Sequence, residues 1–281
     1  MKKVVNYSPA KINLTLDIIN KEEKFHNISS LVASINLYDK IILKKRKDNS
    51  ITLKEKGIKS GASLTENTAY KSAKLFLEKY STCGVDIIID KKIPVANGLG
   101  GSSSNIAGVL NGLKNLFNIS EDIGPLASQL GSDSVYMLNG GFAVMSGRGE
   151  KVENLNLNIK LPLLLVFGKE QVLAKDSYAK YDTLNLEHKD STNSAVKFLQ
   201  EGNLEEFYKV VKNDLYESSK LLCPSIESAV EKLFLSGAKA VLMSGSGSCV
   251  YGIFNNFKAR DLAYKKLKKE YHKQLYKAET I

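Results

Sequence analysis

The chain has 281 residues, of which 43% are hydrophobic and 25% are charged, proportions typical of a folded globular protein rather than a disordered one. This length is enough for one large domain or two ordinary ones. The formal net charge of +10 favours anionic partners, but the lysines concentrate in residues 40–59 and 258–277 with few aromatic residues between them, a pattern more typical of a solvated surface than of a nucleic-acid site.

The N-terminal Met1-Lys2-Lys3 is not followed by an apolar run long enough for a signal peptide. No segment reaches the roughly 18 apolar residues that a transmembrane helix needs. Cys83, Cys223 and Cys249 lie far apart without CxxC spacing, which argues against a disulfide framework or a zinc site. We therefore expect a cytoplasmic protein that binds neither membrane nor nucleic acid. The sequence does not distinguish a monomer from a homodimer.

The first third of the chain is predicted to be rich in strands. Residues 4–19 alternate loosely, and Ile12, Leu14, Leu16 and Ile18 recur at every second position, the period of a half-buried strand, which places Lys11 and Asn13 together on the opposite face. The other elements predicted here are strands at 28–36, 39–43 and 85–89 and a helix at 68–80.

A glycine- and serine-rich segment follows the strand at 85–89. From Ser103 onward, apolar residues recur at helical spacing, so this segment opens a helix. Glycines let the backbone approach a bulky anion, and the N–H groups at a helix N-terminus attract phosphate. The segment therefore predicts a phosphate-binding loop, although an ordinary turn before a helix could use the same residues. It lacks the Gly-Lys-Ser/Thr of a Walker A loop.

The second half of the chain is predicted to mix helices and strands. Asp133 stands before a short predicted helix, a position where aspartate is commonly an N-cap. Residues 171–191 are polar without a clear period and form the predicted crossing between domains. The predicted helices are at 123–130, 135–138, 194–220, 225–236 and 260–271, and the predicted strands are at 163–167, 240–243 and 250–254.

Three segments lie in the order of the signature motifs of the GHMP kinases, the superfamily of galactokinase, homoserine, mevalonate and phosphomevalonate kinases. They are Pro9-Ala10-Lys11-Ile12-Asn13-Leu14, the loop at 94–104 and Met243-Ser244-Gly245-Ser246-Gly247-Ser248. The chain resembles this superfamily over nearly its whole length. The resemblance implies an α+β, two-domain GHMP kinase fold, with a ribosomal protein S5 domain 2-like, ATP-binding domain at 1–155 and a ferredoxin-like α/β sandwich domain at 156–281.

Further segments resemble the branch of the superfamily that phosphorylates a cytidine-diphosphate-linked sugar alcohol in non-mevalonate isoprenoid biosynthesis. They are Phe25-His26, Ile35-Asn36-Leu37-Tyr38-Asp39, and Gly131-Ser132-Asp133 leading to Gly140-Gly141 and Gly147-Arg148-Gly149-Glu150. This resemblance implies ATP and Mg²⁺ as cofactors and such an alcohol as substrate.

The resemblance also implies roles for single residues. Asp133 would orient or accept the proton of the attacking hydroxyl, and Lys11 would stabilise charge near the transferring phosphoryl group. The substrate would contact Asn13, with its base hydrogen-bonded by His26 and stacked by Phe25 and Tyr178. ATP would contact Asn67, Pro94, Asn97, Gly98, Leu99, Gly100, Gly101, Ser102, Ser103, Ser104 and Gly245, and Ser103 is the candidate magnesium ligand.

Local structural roles are open for several of these residues: an N-cap for Asn67, a core position for Phe25 and a hairpin turn for the segment at Gly245. The chain also departs from the branch pattern at three places on the substrate side. It has Glu23-Lys24-Phe25-His26 for Asp-Gly-Tyr-His, Ser134-Val135 for Val-Pro, and Leu173-Ala174 where Ser-Thr is usual. A GHMP kinase acting on another alcohol and a non-catalytic nucleotide-binding protein are therefore the alternatives.

Overall fold

The computed structural model describes residues 2–23, 25–184, 186 and 190–281, so Lys24 and part of the predicted crossing at 171–191 lie outside the described residues. The chain forms two compact units. The first comprises Met1–Ala10, Leu37–Val95 and Gly100–Gly140, and the second comprises Lys11–Asn36, Ala96–Leu99 and Gly141–Ile281. The division of the sequence at residue 155 stays a prediction.

The elements follow in chain order. The first nine are β1 (Lys3–Asn13), β2 (Asp17–Glu22), β3 (Phe25–Lys45), β4 (Ile51–Gly57), α1 (Thr68–Tyr80), β5 (Val85–Lys91), α2 (Gly101–Phe117), α3 (Gly124–Ser128) and α4 (Ser134–Asn139). The rest are β6 (Phe142–Gly147), β7 (Lys151–Leu155), β8 (Pro162–Val166), α5 (Ala174–Tyr181), α6 (Thr192–Gln200), α7 (Leu204–Val210), α8 (Tyr216–Leu222), α9 (Ser225–Leu235), β9 (Ala240–Met243), β10 (Val250–Ile253), α10 (Phe257–Tyr271) and β11 (Leu275–Glu279). The predicted mixture of helices and strands is confirmed.

In the first unit, β5 pairs in parallel with β4 and antiparallel with the last residues of β3. Burial alternates along β5, which sends Ile87 and Ile89 into a core shared with α1 and α2. A Cβ on Gly108 would overlap the side chains of Ser8 and Ile41, so a glycine is needed for α2 to lie this close to the strands.

A buried ion pair fixes both ends of the segment that joins β5 to α2. One carboxylate oxygen of Asp39, Oδ2, accepts hydrogen bonds from Lys91 Nζ and from Asn105 Nδ2, each at 2.7 Å. Its other oxygen accepts the backbone N–H groups of Lys92 and Ile93. Because a buried charge is costly unless it is paired and hydrogen-bonded, these contacts hold Asp39 in place and, with it, the entry to the glycine loop.

In the second unit, four strands pair in the order β11-β8-β10-β9, and every pair is antiparallel. Their apolar residues form a core with helices that include α9 and α10. The first part of β3 pairs with β2 and with β6, and β6 forms a hairpin with β7. In the described part of the chain, no helix is long and apolar enough to cross a bilayer.

The prediction of one half-buried strand over 4–19 is wrong. The structure has β1 and β2 with a break between them, and the polar residues Lys11, Asn13, Thr15 and Asp17 are buried together with their apolar neighbours. Both faces are covered from Ala10 onward, so the period of two shows which residues share a face but not which face meets solvent.

Other boundaries also differ. The strands predicted at 28–36 and 39–43 are one strand, β3, and the helix predicted over 194–220 is three helices, α6 to α8. Gly202, at φ +70°, follows α6, and the Asn203 side chain caps α7 by accepting from the N–H of Glu206. Strands β4, β6, β7 and β11 and helix α5 were not predicted, because they are short and have weak periodicity.

Candidate functional site

The early and late glycine loops meet within the second unit. The hydroxyl of Ser244 donates to the carbonyl oxygen of Gly98 at 2.8 Å. Gly98 has φ +75°, and a Cβ there would overlap the carbonyl oxygen of Ser244. Only glycine fits this position, because it tolerates positive φ and lets two backbones touch. The late loop also connects the antiparallel strands β9 and β10, so its local role as a hairpin turn is confirmed.

Lys11 and Asn13 lie at the end of β1 beside these loops. Lys11 Nζ donates to Asn13 Oδ1 at 2.5 Å, and the N–H of Gly245 donates to the same oxygen at 2.9 Å. The backbone N–H of Lys11 donates to the carbonyl oxygen of Leu99 at 3.0 Å. Lys11 is 5% exposed, so a nearly buried cation stands at the point where both loops converge.

The start of α2, in the first unit, carries the remainder of the early loop. Gly100 is the N-cap residue at φ +68°, and no side chain caps the helix. The N–H groups of the first turn are therefore available to an anion. Ser102 is exposed, Ser103 is half-buried, and the buried Ser104 hydroxyl has no hydrogen-bond partner within the described residues. An uncapped helix start with an orphaned hydroxyl fits a phosphate group.

Asp133 precedes α4 in the same unit and is half-buried. It occupies the N-cap position, but its carboxylate makes no capping hydrogen bond, so the N-cap alternative does not account for it. The turn before it lies beside the start of α2, since a Cβ on Gly131 would stand 3.4 Å from Ser103 Oγ. At the altered position after Asp133, the Ser134 hydroxyl is buried without a partner among the residues described.

Asn67 and Asn97 already have structural partners. Asn67 Oδ1 accepts from the N–H of Ala69 at 3.0 Å, which confirms its N-cap role, and its contact with adenine stays a prediction. Asn97 Oδ1 accepts from the N–H of Gly168 at 3.0 Å, which ties the early loop to the end of β8. Pro94 is half-buried after β5.

The predicted base site lies in the second unit. Phe25 is 51% exposed, so its core alternative is wrong, and the Arg148 guanidinium stands 4.1 Å from its ring centroid. The His26 ring stacks on Tyr178 at a centroid distance of 4.7 Å and an interplanar angle of 18°. His26 Nε2 lies 2.7 Å from Asp182 Oδ1, within hydrogen-bond distance. The structure thus brings His26 and Tyr178 together, and their contacts with a base stay predictions.

Three residues with a place in these clusters were missed. Asn213 Nδ2 donates to the carbonyl oxygens of Met243 and Gly245 and so holds the late loop. Asp182 contacts His26, and Lys21 in turn donates to Asp182. No local signal marks them, because their partners are far away in the sequence and Asp182 lies in the aperiodic segment 171–191.

Among the residues that the structure describes, no three or more His, Cys, Asp or Glu side chains are grouped so as to hold a metal ion.

Two family models match the chain: GHMP kinases N terminal domain at residues 67–148 and GHMP kinases C terminal at residues 195–273. The chain is 35% identical to the 4-diphosphocytidyl-2-C-methyl-D-erythritol kinase of Thermoanaerobacter sp. (strain X514) over 272 residues, covering 95% of this chain and 93% of the relative. It is 32% identical to the kinase of the same name from Macrococcus caseolyticus (strain JCSC5402), with 88% of each chain covered. The crystal structure of a 4-(cytidine 5'-diphospho)-2C-methyl-D-erythritol kinase, 27% identical, covers 98% of each chain with a TM-score of 0.85.

Proposed function

The chain belongs to the GHMP kinases, and from this we propose that it transfers the γ-phosphoryl group of ATP to the 2-hydroxyl of 4-diphosphocytidyl-2-C-methyl-D-erythritol, in non-mevalonate isoprenoid biosynthesis. One observation carries the choice of this alcohol. A relative named for it matches 95% of the chain at 35% identity. Kinase chemistry itself is supported by the uncapped start of α2 and the nearly buried Lys11.

Phosphoryl transfer asks a protein chiefly for positioning and charge stabilisation. In the proposed mechanism, the N–H groups at the start of α2 hold phosphate oxygens, and Lys11 stabilises negative charge that develops during the transfer. Asp133 accepts the hydroxyl proton as the new oxygen–phosphorus bond forms and the bond to the ADP oxygen breaks. The nucleotide contacts Pro94, the loop residues Asn97 to Ser104, Gly245 and Asn67.

The same proposal assigns the acceptor side. Asn13 contacts the alcohol, His26 hydrogen-bonds the cytosine base, and Phe25 and Tyr178 stack against it. Ser103 would hold Mg²⁺, which would supply positive charge to the phosphates when bound. The enzyme works in the cytoplasm as a monomer or homodimer, on small molecules rather than nucleic acid or membrane.

The test is an ADP-release assay with purified protein, Mg²⁺ and ATP. We expect ADP only when 4-diphosphocytidyl-2-C-methyl-D-erythritol is added. Asp133→Asn should keep its ATP affinity and lose about 10²- to 10⁴-fold in kcat, the range for removal of a general base. Glu121→Gln, an exposed carboxylate in the same unit, is the matched control and should keep full activity.

The alternatives give different results. Turnover only with another alcohol would replace the proposed substrate and keep the kinase. ATP binding without turnover on any alcohol would indicate a nucleotide-binding protein without catalysis. Full activity of Asp133→Asn would contradict the role of that residue.

A further inference from the structure

The His26 ring is held on two sides within the second unit. Tyr178 covers one face, and Asp182 Oδ1 lies 2.7 Å from His26 Nε2. Asp182 is itself fixed, because its Oδ2 accepts from Lys21 Nζ at 2.6 Å. The His26 side chain is only 8% exposed, so its orientation is set by these neighbours rather than by solvent.

The Asp182 carboxylate is ionised at neutral pH. Partial burial alone would raise the pKa of Asp182, but hydrogen bonds from Lys21 and His26, together with the positive charge of Lys21, leave that pKa below its usual value of 3.8. An ionised carboxylate can only accept hydrogen bonds. The hydrogen between the two groups therefore sits on His26 Nε2, and Nδ1 of the neutral ring carries a lone pair. No residue in the described ranges hydrogen-bonds to Nδ1.

Helix stability does not explain the position of Asp182. It is the C-cap residue of α5, where the partial negative charge of the helix end disfavours a carboxylate. At this position, Asp182 instead gains hydrogen bonds to His26 and Lys21. Asp182 is unfavourable for its helix, yet it is hydrogen-bonded to a histidine that is predicted to bind the substrate. This combination points to a role for Asp182 in the site.

We propose that Asp182 is a positioning residue that holds His26 as the Nε2–H tautomer, so that Nδ1 accepts a hydrogen from the exocyclic amino group of a cytosine base. The inference rests on the proposed function, because it assumes that His26 faces the base. Cytosine carries an amino group at C4, whereas uracil carries a carbonyl oxygen there. The Nδ1 lone pair accepts a hydrogen bond from the cytosine amino group and repels the uracil carbonyl oxygen. It therefore selects cytidine over uridine substrates.

The tautomer can be measured without substrate. The chain has three histidines, so the ring nitrogens of His26 can be identified in the ¹⁵N NMR spectrum of histidine-labelled protein by comparison with His26→Gln. At pH 8 we expect a protonated Nε2 and an unprotonated Nδ1 in the wild-type protein, and a mixture of tautomers in Asp182→Ala. A wild-type ring with its hydrogen on Nδ1 would overturn the proposal.

Base selection can be measured by calorimetric titration with CDP and UDP. Loss of one oriented hydrogen bond predicts that Asp182→Ala binds CDP about tenfold more weakly, with little change for UDP, so that the CDP-to-UDP affinity ratio falls about tenfold. Asp182→Glu should restore part of the ratio. Asp176→Ala removes an exposed carboxylate from the same helix and should leave the ratio unchanged.

The outcomes separate this inference from the proposed function. CDP selection that depends on Asp182, without phosphorylation of any cytidine-linked alcohol, would contradict the function and leave the inference standing. A changed tautomer in Asp182→Ala with an unchanged affinity ratio would overturn the role in base selection. Binding of neither diphosphate by a folded wild-type protein would overturn it as well.

Discussion

At the end of β1, polar side chains are as buried as the apolar ones that alternate with them. A buried amide must find partners on both sides. Asn13 does so, because its Oδ1 accepts from Lys11 and Gly245 while its Nδ2 donates to Ser30 Oγ at 2.8 Å. The local sequence predicted that Lys11 and Asn13 share a face, and it could not predict Ser30 or Gly245 as their partners.

Asp17 is the most densely hydrogen-bonded of these residues. Its carboxylate is fully buried and accepts from the backbone N–H and the hydroxyl of both Ser191 and Thr192, at 2.6–3.0 Å. Lys212 Nζ lies 3.2 Å away. Burial alone would raise the pKa of Asp17, but the hydrogen bonds from Thr192 and Ser191 and the charge of Lys212 place it below the usual 3.8.

A depressed pKa in the folded state makes Asp17 a source of acid sensitivity. Its stabilisation is complete above the unfolded pKa of about 3.9 and is lost as the pH falls through the folded value. We expect Asp17→Asn to lower the free energy of unfolding by about 2–4 kcal/mol at pH 7, and we expect this difference to shrink as the pH falls below about 4. Urea titrations at several pH values measure both.

Asp190→Asn is the matched control, since Asp190 is an exposed carboxylate beside the same helix start. It should change stability little at any pH. A destabilisation of Asp17→Asn that stays constant from pH 7 to pH 3 would contradict the ionised state assigned to Asp17.

At the scale of elements, helices and their starts were the most predictable features. The predicted bounds of α1 are those observed, because apolar spacing and the Asn67 cap are both local. The contact between the early and late loops was not predictable from either loop, because it joins Gly98 to Ser244 across 146 residues.

Because of this loop contact, we expect Gly98→Ala to lower both the stability of the protein and its apparent affinity for ATP. The added Cβ would overlap Ser244 and would also strain a backbone at φ +75°. Gly202→Ala separates the two effects, since Gly202 has φ +70° with no atom within 4 Å of an added Cβ. We expect Gly202→Ala to cost about 1 kcal/mol of unfolding free energy and Gly98→Ala to cost clearly more, with a KM for ATP raised about tenfold or more.

Denaturant unfolding of the two variants measures the loss of stability, and ATP-dependent kinetics measure the KM for ATP. Equal stability losses with an unchanged KM for ATP in both variants would mean that the loops do not need their observed contact.

At the scale of the whole molecule, 40 basic residues outweigh 30 acidic ones. A positively charged protein attracts an anionic nucleotide from a distance. Salt weakens this attraction, because charges are screened beyond the Debye length, which is about 10 Å at 0.1 M. We expect kcat/KM for ATP to fall about two- to tenfold between 50 and 300 mM NaCl at constant free Mg²⁺, with kcat little changed.

A charge-reversed variant provides the control. Lys265 and Lys266 are exposed on α10, and replacing both by Glu lowers the net charge without touching the candidate site. Its kcat/KM should depend less on salt than that of the wild-type protein. Equal salt dependence in both proteins would show that net charge does not assist ATP binding.

The sequence by itself determined the family, the mixed α+β class, the phosphate loop before α2 and the candidacy of Lys11 and Asp133. The family and the candidacy of Lys11 and Asp133 rest on the resemblance to known motifs, whereas the mixed class and the phosphate loop depend on local properties, namely glycine conformation, helix starts and side-chain periodicity. Only the tertiary structure decided which residues hold these groups: Asn213 on the late loop, and Asp182 on His26 across 156 residues. It also buried both faces of the end of β1. Such contacts join distant parts of the chain, and no local pattern encodes them, because they depend on how the elements pack.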